Sequence, residues 1–149
     1  MDVEEAILKR KSIRRFAQRP LAEEEIQTLL AVGRKTPSAG ATRPLILFAV
    51  SDKELKDKLC EACLGQESVR NAPTCIVVAA NYNTFARYGR RGVRYTYMEA
   101  GHAGQNIALK AVEMGLGTVM IGAFKDSRVK EVLGIAEDPL YVILVGAIA

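Results

Sequence analysis

Arg10, Ser12 and Arg14 alternate with Lys11 and Ile13 in the run Arg10-Lys11-Ser12-Ile13-Arg14. Side chains of an extended segment point to alternate faces, so the two guanidinium groups and the hydroxyl would project together. A helix would pair Arg10 with Arg14 and turn Ser12 away from both. Two guanidinium forks and a hydroxyl on one point suit a phosphate, which takes bidentate charge-assisted hydrogen bonds. The same residues also suit a solvated basic turn that closes a first helix. What favours the phosphate is the company the motif keeps further along the chain.

Other groups with chemical potential are few. Arg87, Arg90, Arg91 and Arg94 crowd a Gly- and Tyr-containing stretch with no acid among them. Such a patch fits a nucleic acid, a phosphate-bearing cofactor or a loop facing water, and does not discriminate among them. Cys60 and Cys63 form a Cys-x-x-Cys pair inside an expected helix, away from the strand-to-helix junction where a redox dithiol has its thiolate stabilised. Adding Cys75 and the only histidine, His102, gives four potential zinc ligands, but the last two lack paired spacing and no metal site is expected. His102 falls within a long helix, where a buried, hydrogen-bonded imidazole is expected rather than a catalytic acid. No catalytic triad or P-loop is recognisable.

The elements that must position these groups are those of one domain. At 149 residues, 49% of them hydrophobic, the chain is expected to fold as a single unit over residues 1–149. Tryptophan is absent and aromatics are few, so Ala, Val, Ile and Leu must build the core. The net charge of +4 is mild. The N-terminus is charged from its second residue, unlike a signal peptide, and no apolar run approaches the ~20 residues of a membrane span. Three cysteines without a secretion signal suggest reduced thiols, and a cytoplasmic location is expected.

Asp2 and Glu5 read as a capping box for a helix to about Lys9 with Val3, Ile7 and Leu8 on its apolar side. Pro20 introduces a second helix through about Gly33, with Leu21, Ile26, Leu29 and Leu30 inward. A turn-rich loop from Thr36 to Pro44 follows. Leu45–Val50 reads as a buried strand, Ser51 and Glu54 cap a helix to about Leu64, and Cys75–Ala80 is a second buried strand. The arginine-rich stretch is expected as a loop before a long helix from about Tyr97 to Met114. Strands at Thr118–Ile121 and Tyr141–Val145 flank a helix at Asp126–Leu133. Alternating helices and apolar strands favour a helix-covered α/β or α+β sheet. In the long helix, Gly101, Gly104, Ala108, Ala111 and Gly115 make a small-residue face, suited to a core contact or equally to a subunit interface.

Taken in order, these motifs resemble the nitroreductase family of flavin mononucleotide (FMN) oxidoreductases over nearly the whole chain. Arg10-Ser12-Arg14 matches the family's phosphate-binding segment. Pro37-Ser38-Ala39-Gly40 followed by Pro44 matches its P-S-x-x-N-x-Q-P-W loop. Gly115-Leu116-Gly117 and Ile121-Gly122-Ala123-Phe124 match the G-L-G strand leading to the flavin-edge turn. The segment Glu99 to Asn106 is most similar to the branch related to azoline oxidases, although that branch's lysine–tyrosine pair has no match here. The loop departs from the family: asparagine, glutamine and tryptophan are replaced by Ala41, Arg43 and Leu45, with Arg43 as a substitute donor. Typical members also continue beyond the point where this sequence stops, Ala149, into an arm that embraces the partner subunit. Without that arm, flavin affinity is expected to be lower, or Lys11 and the arginine-rich stretch to compensate.

The resemblance implies an α+β nitroreductase-like fold: three α/β/α layers around a mostly antiparallel sheet. It implies a homodimer with FMN at the interface, reduced by NADH or NADPH and reoxidised by an electron-poor small molecule in a ping-pong cycle. Arg10, Ser12 and Arg14, with Lys11, would hold the phosphate. Pro37, Ser38, Ala39, Gly40 and Arg43 would lie along the flavin, with Ile121, Gly122 and Ala123 at its N5 edge. Gly122 and Ala123 are the catalytic candidates, because a turn directly after a buried strand can offer bare N–H groups to a flat ligand. The cofactor then carries the hard chemistry. An FMN-storing module without turnover is the alternative. A basic nucleic-acid-binding domain ranks below both, because no recognition motif accompanies the charge.

Overall fold

The computed structural model describes all of residues 1–149. Its helices are α1 (Val3–Lys9), α2 (Glu23–Arg34), α3 (Lys53–Ala62), α4 (Glu67–Asn71), α5 (Thr84–Tyr88), α6 (Arg90–Glu113) and α7 (Asp126–Leu133). The strands are β1 (Leu45–Val50), β2 (Thr74–Ala80), β3 (Leu116–Ile121) and β4 (Asp138–Ala147), and a short 3-10 turn spans Ala39–Ala41. The four strands form one sheet in the order β1-β2-β4-β3, every neighbouring pair antiparallel.

The central strands read as unbroken apolar runs because both their faces are covered. On β2, Cys75 and Val77 enter one core cluster while Ile76 and Val78 enter the other. On β4, Val142 and Leu144 alternate in the same way with Ile143 and Val145. Residues of α3, α4 and α7 (Leu59, Val69, Val129) complete the first cluster, and those of α2 and α6 (Leu29, Ile107) complete the second. The result is the expected α+β sandwich of helices around an antiparallel sheet. No helix is long and apolar enough to cross a membrane.

Several local expectations need correction. Asp2 caps α1 by accepting a hydrogen bond from Glu5 N at 2.8 Å, but Glu5 bonds Lys9 instead of completing the box. The apolar side of α1 is not buried within the chain: Val3, Ile7 and Leu8 are all exposed, and Ala6 faces inward instead. Ser51 does not cap α3, since its Oγ lies 2.8 Å from Thr74 Oγ1. Asp52 takes that role by accepting from Leu55 N. The short helix α4 is an addition to the sequence reading.

The largest departure is at the arginine-rich stretch, which is helical. Gly89 (φ 58°) makes the break between α5 and α6, and α6 then runs from Arg90, not Tyr97. A Cβ at Gly92 would lie 2.4 Å from Thr84 O, so the missing side chain is what lets α5 lie against α6. Thr84 Oγ1 completes the contact by donating to Gly92 O at 2.9 Å and meeting Thr96 Oγ1 at 2.7 Å. A glycine within the expected loop is thus a helix packing site. On α6 the buried stripe runs through Ala103, Gly104, Ile107, Ala108 and Ala111, whereas His102 lies off it and is exposed, contrary to expectation. Gly104 packs on Met120 of the chain's own sheet, so that part of the small-residue face serves the core.

Gly146 gives a direct test of this packing. A Cβ there would stand 2.5 Å from Cδ of Pro73 and 3.1 Å from Phe16. Gly146→Ala is expected to destabilise the fold by about 1–3 kcal/mol through overpacking. At roughly 2–4 °C per kcal/mol for a chain of this size, a calorimetric scan should show the melting point falling by several degrees.

Candidate functional site

Arg10 ends α1 with extended torsions (φ −59°, ψ 125°), and the chain continues along the outer edge of β3. Ser12 bridges Thr118 in parallel, and Ile13 N donates to Thr118 O at 2.8 Å. The side chain of Ile13 lies over Gly117, where a Cβ would fall 2.7 Å from Ile13 Cγ1. Extended backbone then produces the expected alternation. Arg10, Ser12 and Arg14 line one cleft of about 320 Å³, together with Gln105, Ala108 and Met120. Lys11 and Ile13 line a different hollow with Lys9 and Gly117. Lys11 therefore does not join the arginine cleft, because it has the opposite parity in the segment.

Neither Arg10 nor Arg14 has an ion-pair partner among the chain's nine salt bridges. Two free guanidinium groups, the Ser12 hydroxyl and the exposed amide of Gln105 make a donor-rich cleft suited to a phosphomonoester. From the sequence, Gln105 and Asn106 suit backbone or flavin groups alike, and the structure separates them. The signal for Gln105 was the α6 spacing, which sets it close to one turn before Ala108. The neighbouring Asn106 instead donates to Val32 O and Lys35 O at 3.2 and 2.9 Å, finishing the C-terminal end of α2.

The turn after β3 continues the same edge. Ile121 is a buried core residue, so its side chain packs inside the first cluster and is not available at the surface of the turn, contrary to a binding role for that side chain. Gly122 and Ala123 are exposed, and their N–H groups donate to no protein acceptor. The turn is held from behind: Gln66 Nε2 donates to Ala123 O at 3.0 Å and to Cys63 O at 2.8 Å, while Lys125 N donates to Ala62 O. Gln66 is a further residue that sequence spacing could not reveal, since it acts across 57 positions.

The loop from Pro37 to Pro44 lies elsewhere. It leads into β1, at the opposite edge of the sheet from β3. Its shape is fixed internally. Ser38 Oγ accepts from Arg43 N at 3.0 Å, Thr42 Oγ1 donates to Ala39 O, and Gly40 turns with φ 56°. Arg43 Nη1 donates to Thr36 O at 2.5 Å, so that part of the guanidinium braces the loop rather than replacing the family's glutamine at a ligand. From outside, Arg87 Nη1 donates to Gly40 O at 3.1 Å and Asn83 Nδ2 to Thr42 O. Beneath the loop, Glu99, 4% exposed, lines a cavity of about 250 Å³ with Arg34, Thr36 and Arg43. One chain therefore brings together Arg10, Ser12, Arg14 and the Gly122–Ala123 turn, and leaves Pro37, Ser38, Ala39 and Gly40 apart from them.

The three cysteines are free and buried. Cys60 Sγ donates to Gln66 O at 3.2 Å, and burial pushes the Cys63 and Cys75 thiols up to about 12. At neutral pH they are protonated core residues.

The Nitroreductase family profile matches residues 7–70 and 62–147. The chain belongs to the nitroreductase family. Among its relatives is MJ1384 of Methanocaldococcus jannaschii, which carries the nitroreductase name. The two are 36% identical over an alignment of 178 positions covering 97% of this chain and 90% of that protein. The NADPH-flavin oxidoreductase of Vibrio harveyi is 30% identical over 90% of this chain and 60% of its own length. Among solved structures, a nitroreductase family protein from Clostridium novyi superposes with a TM-score of 0.91 at 26% identity, covering all of this chain and 86% of that one. The fold's nitroreductase architecture is thus shared along the whole chain.

If Arg10 and Arg14 grip a phosphate in this cleft, replacing either by alanine should weaken FMN binding by ~1.5–3 kcal/mol, at least tenfold. Lys11→Ala should leave it nearly unchanged, because Lys11 faces the other hollow. Fluorescence titration of the apoprotein with FMN and riboflavin checks both. Equal affinity for the two flavins would remove the phosphate assignment.

Proposed function

We propose that residues 1–149 form a single FMN-binding domain of an oxidoreductase that takes electrons from NAD(P)H and passes them to an electron-poor small molecule such as a nitroaromatic or quinone. The observation that carries this reading is the shared edge of β3. The paired Arg10–Arg14 segment stands beside Thr118, and the bare N–H groups of Gly122 and Ala123 follow roughly 13 Å further along the strand. A ligand with a phosphate at one end and a flat ring at the other suits that arrangement. Family membership and relatives named as flavin oxidoreductases and FMN reductases support the same cofactor.

FMN, when bound, supplies the two-electron chemistry. The chain's own residues set its conditions. Arg10, Ser12 and Arg14 would neutralise and orient the phosphate, and Gln105 adds an amide on the same wall. Gly122 and Ala123 would offer fixed N–H donors at the ring edge, where negative charge develops on reduction. Such preorganised donors are worth most where water is excluded. Gln66 keeps that turn from rotating by holding Ala123 O inward. The turn is open on its outer side, with nothing within 4 Å of where a Gly122 Cβ would stand, so donor and acceptor could use the same face in turn, a ping-pong cycle.

A homodimer completes the site. The Ser38–Gly40 loop and the arginine cleft lie at opposite sheet edges, about 14 Å apart across three strand spacings, so a second subunit is the natural source of the loop at each flavin. The exposed apolar residues Val3, Ile7 and Leu8 of α1 add surface that a partner would cover. The place of action is the cytoplasm, where three buried thiols stay reduced. Within the family, the resemblance of the Glu99 to Asn106 segment favours a place near the branch related to azoline oxidases, without that branch's lysine–tyrosine pair.

Ala123→Pro deletes a free N–H and leaves the phosphate cleft intact. The variant should still bind FMN, and anaerobic stopped-flow bleaching by NAD(P)H should slow by about 10²-fold, the cost of one well-placed donor. If the wild-type flavin bleaches with neither nucleotide, the FMN-storage reading replaces the enzyme. Sedimentation of the FMN-loaded wild type should give a dimer. A monomer with FMN bound would overturn the shared site.

A further inference from the structure

Apart from the bond by which Arg87 braces Gly40 O, the arginines between Tyr82 and Tyr97 have no part in the site described above, and they are not scattered. The Arg87 guanidinium stands 5.4 Å from the centre of the Tyr88 ring. Tyr88 meets Tyr95 edge to face at 5.5 Å. Arg91 lies 5.9 Å from the Tyr95 ring, and its Nε donates to Tyr95 Oη at 3.0 Å. Arg90 and Arg94 flank this ladder on the exposed start of α6.

Two features set the ladder apart. None of the chain's nine ion pairs includes Arg87, Arg90, Arg91 or Arg94, so four neighbouring guanidinium groups stand without a carboxylate partner. Arg90 and Arg91 also occupy the first turn of α6, where the helix dipole disfavours positive charge and no acid is present to offset it. Unpaired arginines held in place by tyrosine rings are preorganised for an anion that carries a flat group. The guanidinium takes the anion bidentately, and rings and guanidinium planes stack on the flat group. The ladder is fastened to the Ser38–Arg43 loop, for Arg87 donates to Gly40 O and a Gly40 Cβ would lie 2.5 Å from Tyr88 Oη.

We propose that Arg87, Tyr88, Arg91 and Tyr95 form the recognition site for the 2′-phosphoadenosine end of NADPH, and so make NADPH the preferred electron donor. The proposal rests on the oxidoreductase reading, because it takes the loop beside the ladder as the one that lies along the flavin. NADH differs from NADPH only in lacking the 2′-phosphate, so the charge of the ladder bears directly on that choice.

The test uses the FMN-loaded protein. The wild type should show a kcat/KM for NADPH at least tenfold above that for NADH. By calorimetry it should bind adenosine 2′,5′-bisphosphate at least tenfold more tightly than adenosine 5′-monophosphate. Arg91→Gln should remove most of both preferences, Arg91→Lys should restore part, and Lys58→Gln, the same charge loss on α3, should change neither. A thermal melt of Arg91→Gln confirms that it is folded. Equal use of NADH and NADPH with equal binding of the two adenosine phosphates would overturn the proposal, as would preferences that survive in Arg91→Gln. If neither dinucleotide reduces the flavin, the oxidoreductase reading fails by itself. Calorimetry then still decides the ladder: a 2′-phosphate preference lost in Arg91→Gln supports it, and its absence in the wild type overturns it.

Discussion

The pairing of the Arg10–Arg14 segment with the free edge of β3 is the contact on which the candidate site depends. An edge strand presents unpaired N–H and C=O groups, and the bond from Ile13 N to Thr118 O uses one of them. That pairing holds the segment extended, and only an extended segment places two arginines and a serine on one side. Gly117 is the permissive residue, because any side chain there would collide with Ile13. The two glycine-flanked motifs of the sequence are thus one physical unit: a strand whose bare backbone admits the segment, ending in a turn whose bare backbone faces outward.

Behind this edge, the sheet is buried on both faces, and α6 supports it from one side. Ala108 and Gly104 keep the helix close enough for Gln105 to share a wall with the arginines. On the other side α3 and α4 bring Gln66 to the back of the Gly122–Ala123 turn. The protonated cysteines belong to this second layer, where burial keeps their thiols neutral. The site therefore draws rigidity from both helical layers while its donors remain on the sheet edge.

The proposed dimer makes use of the opposite-edge placement of the Pro37–Pro44 loop. The loop spends its hydrogen bonds on itself and on the α5–α6 arginines, which makes it a preformed surface rather than a flexible lid. A preformed surface is what a neighbouring subunit can dock against without a further ordering cost. The exposed apolar residues of α1 fit the same logic.

Much of this was legible from residue order alone. Alternation in Arg10–Arg14 depends only on extended geometry, and the apolar run at Cys75–Ala80 depends only on burial of both faces, so period and composition sufficed; Leu45–Val50 was legible as a strand, but its place at the sheet edge leaves only Leu47 and Val50 buried. The helix Asp126–Leu133 was likewise readable from its own residues. Tertiary structure decided what local pattern could not. It made the arginine-rich stretch helical, because Gly92 packs against Thr84 O. His102 became exposed because the buried stripe of α6 passes beside it, and Ile7 and Leu8 were left uncovered because Ala6 faces the chain's own core. It also gave Arg43 an internal carbonyl and brought Gln66 to a turn 57 residues away. In each case the outcome depends on a partner distant in sequence. A residue's own propensity carries no record of that partner until the layers have packed.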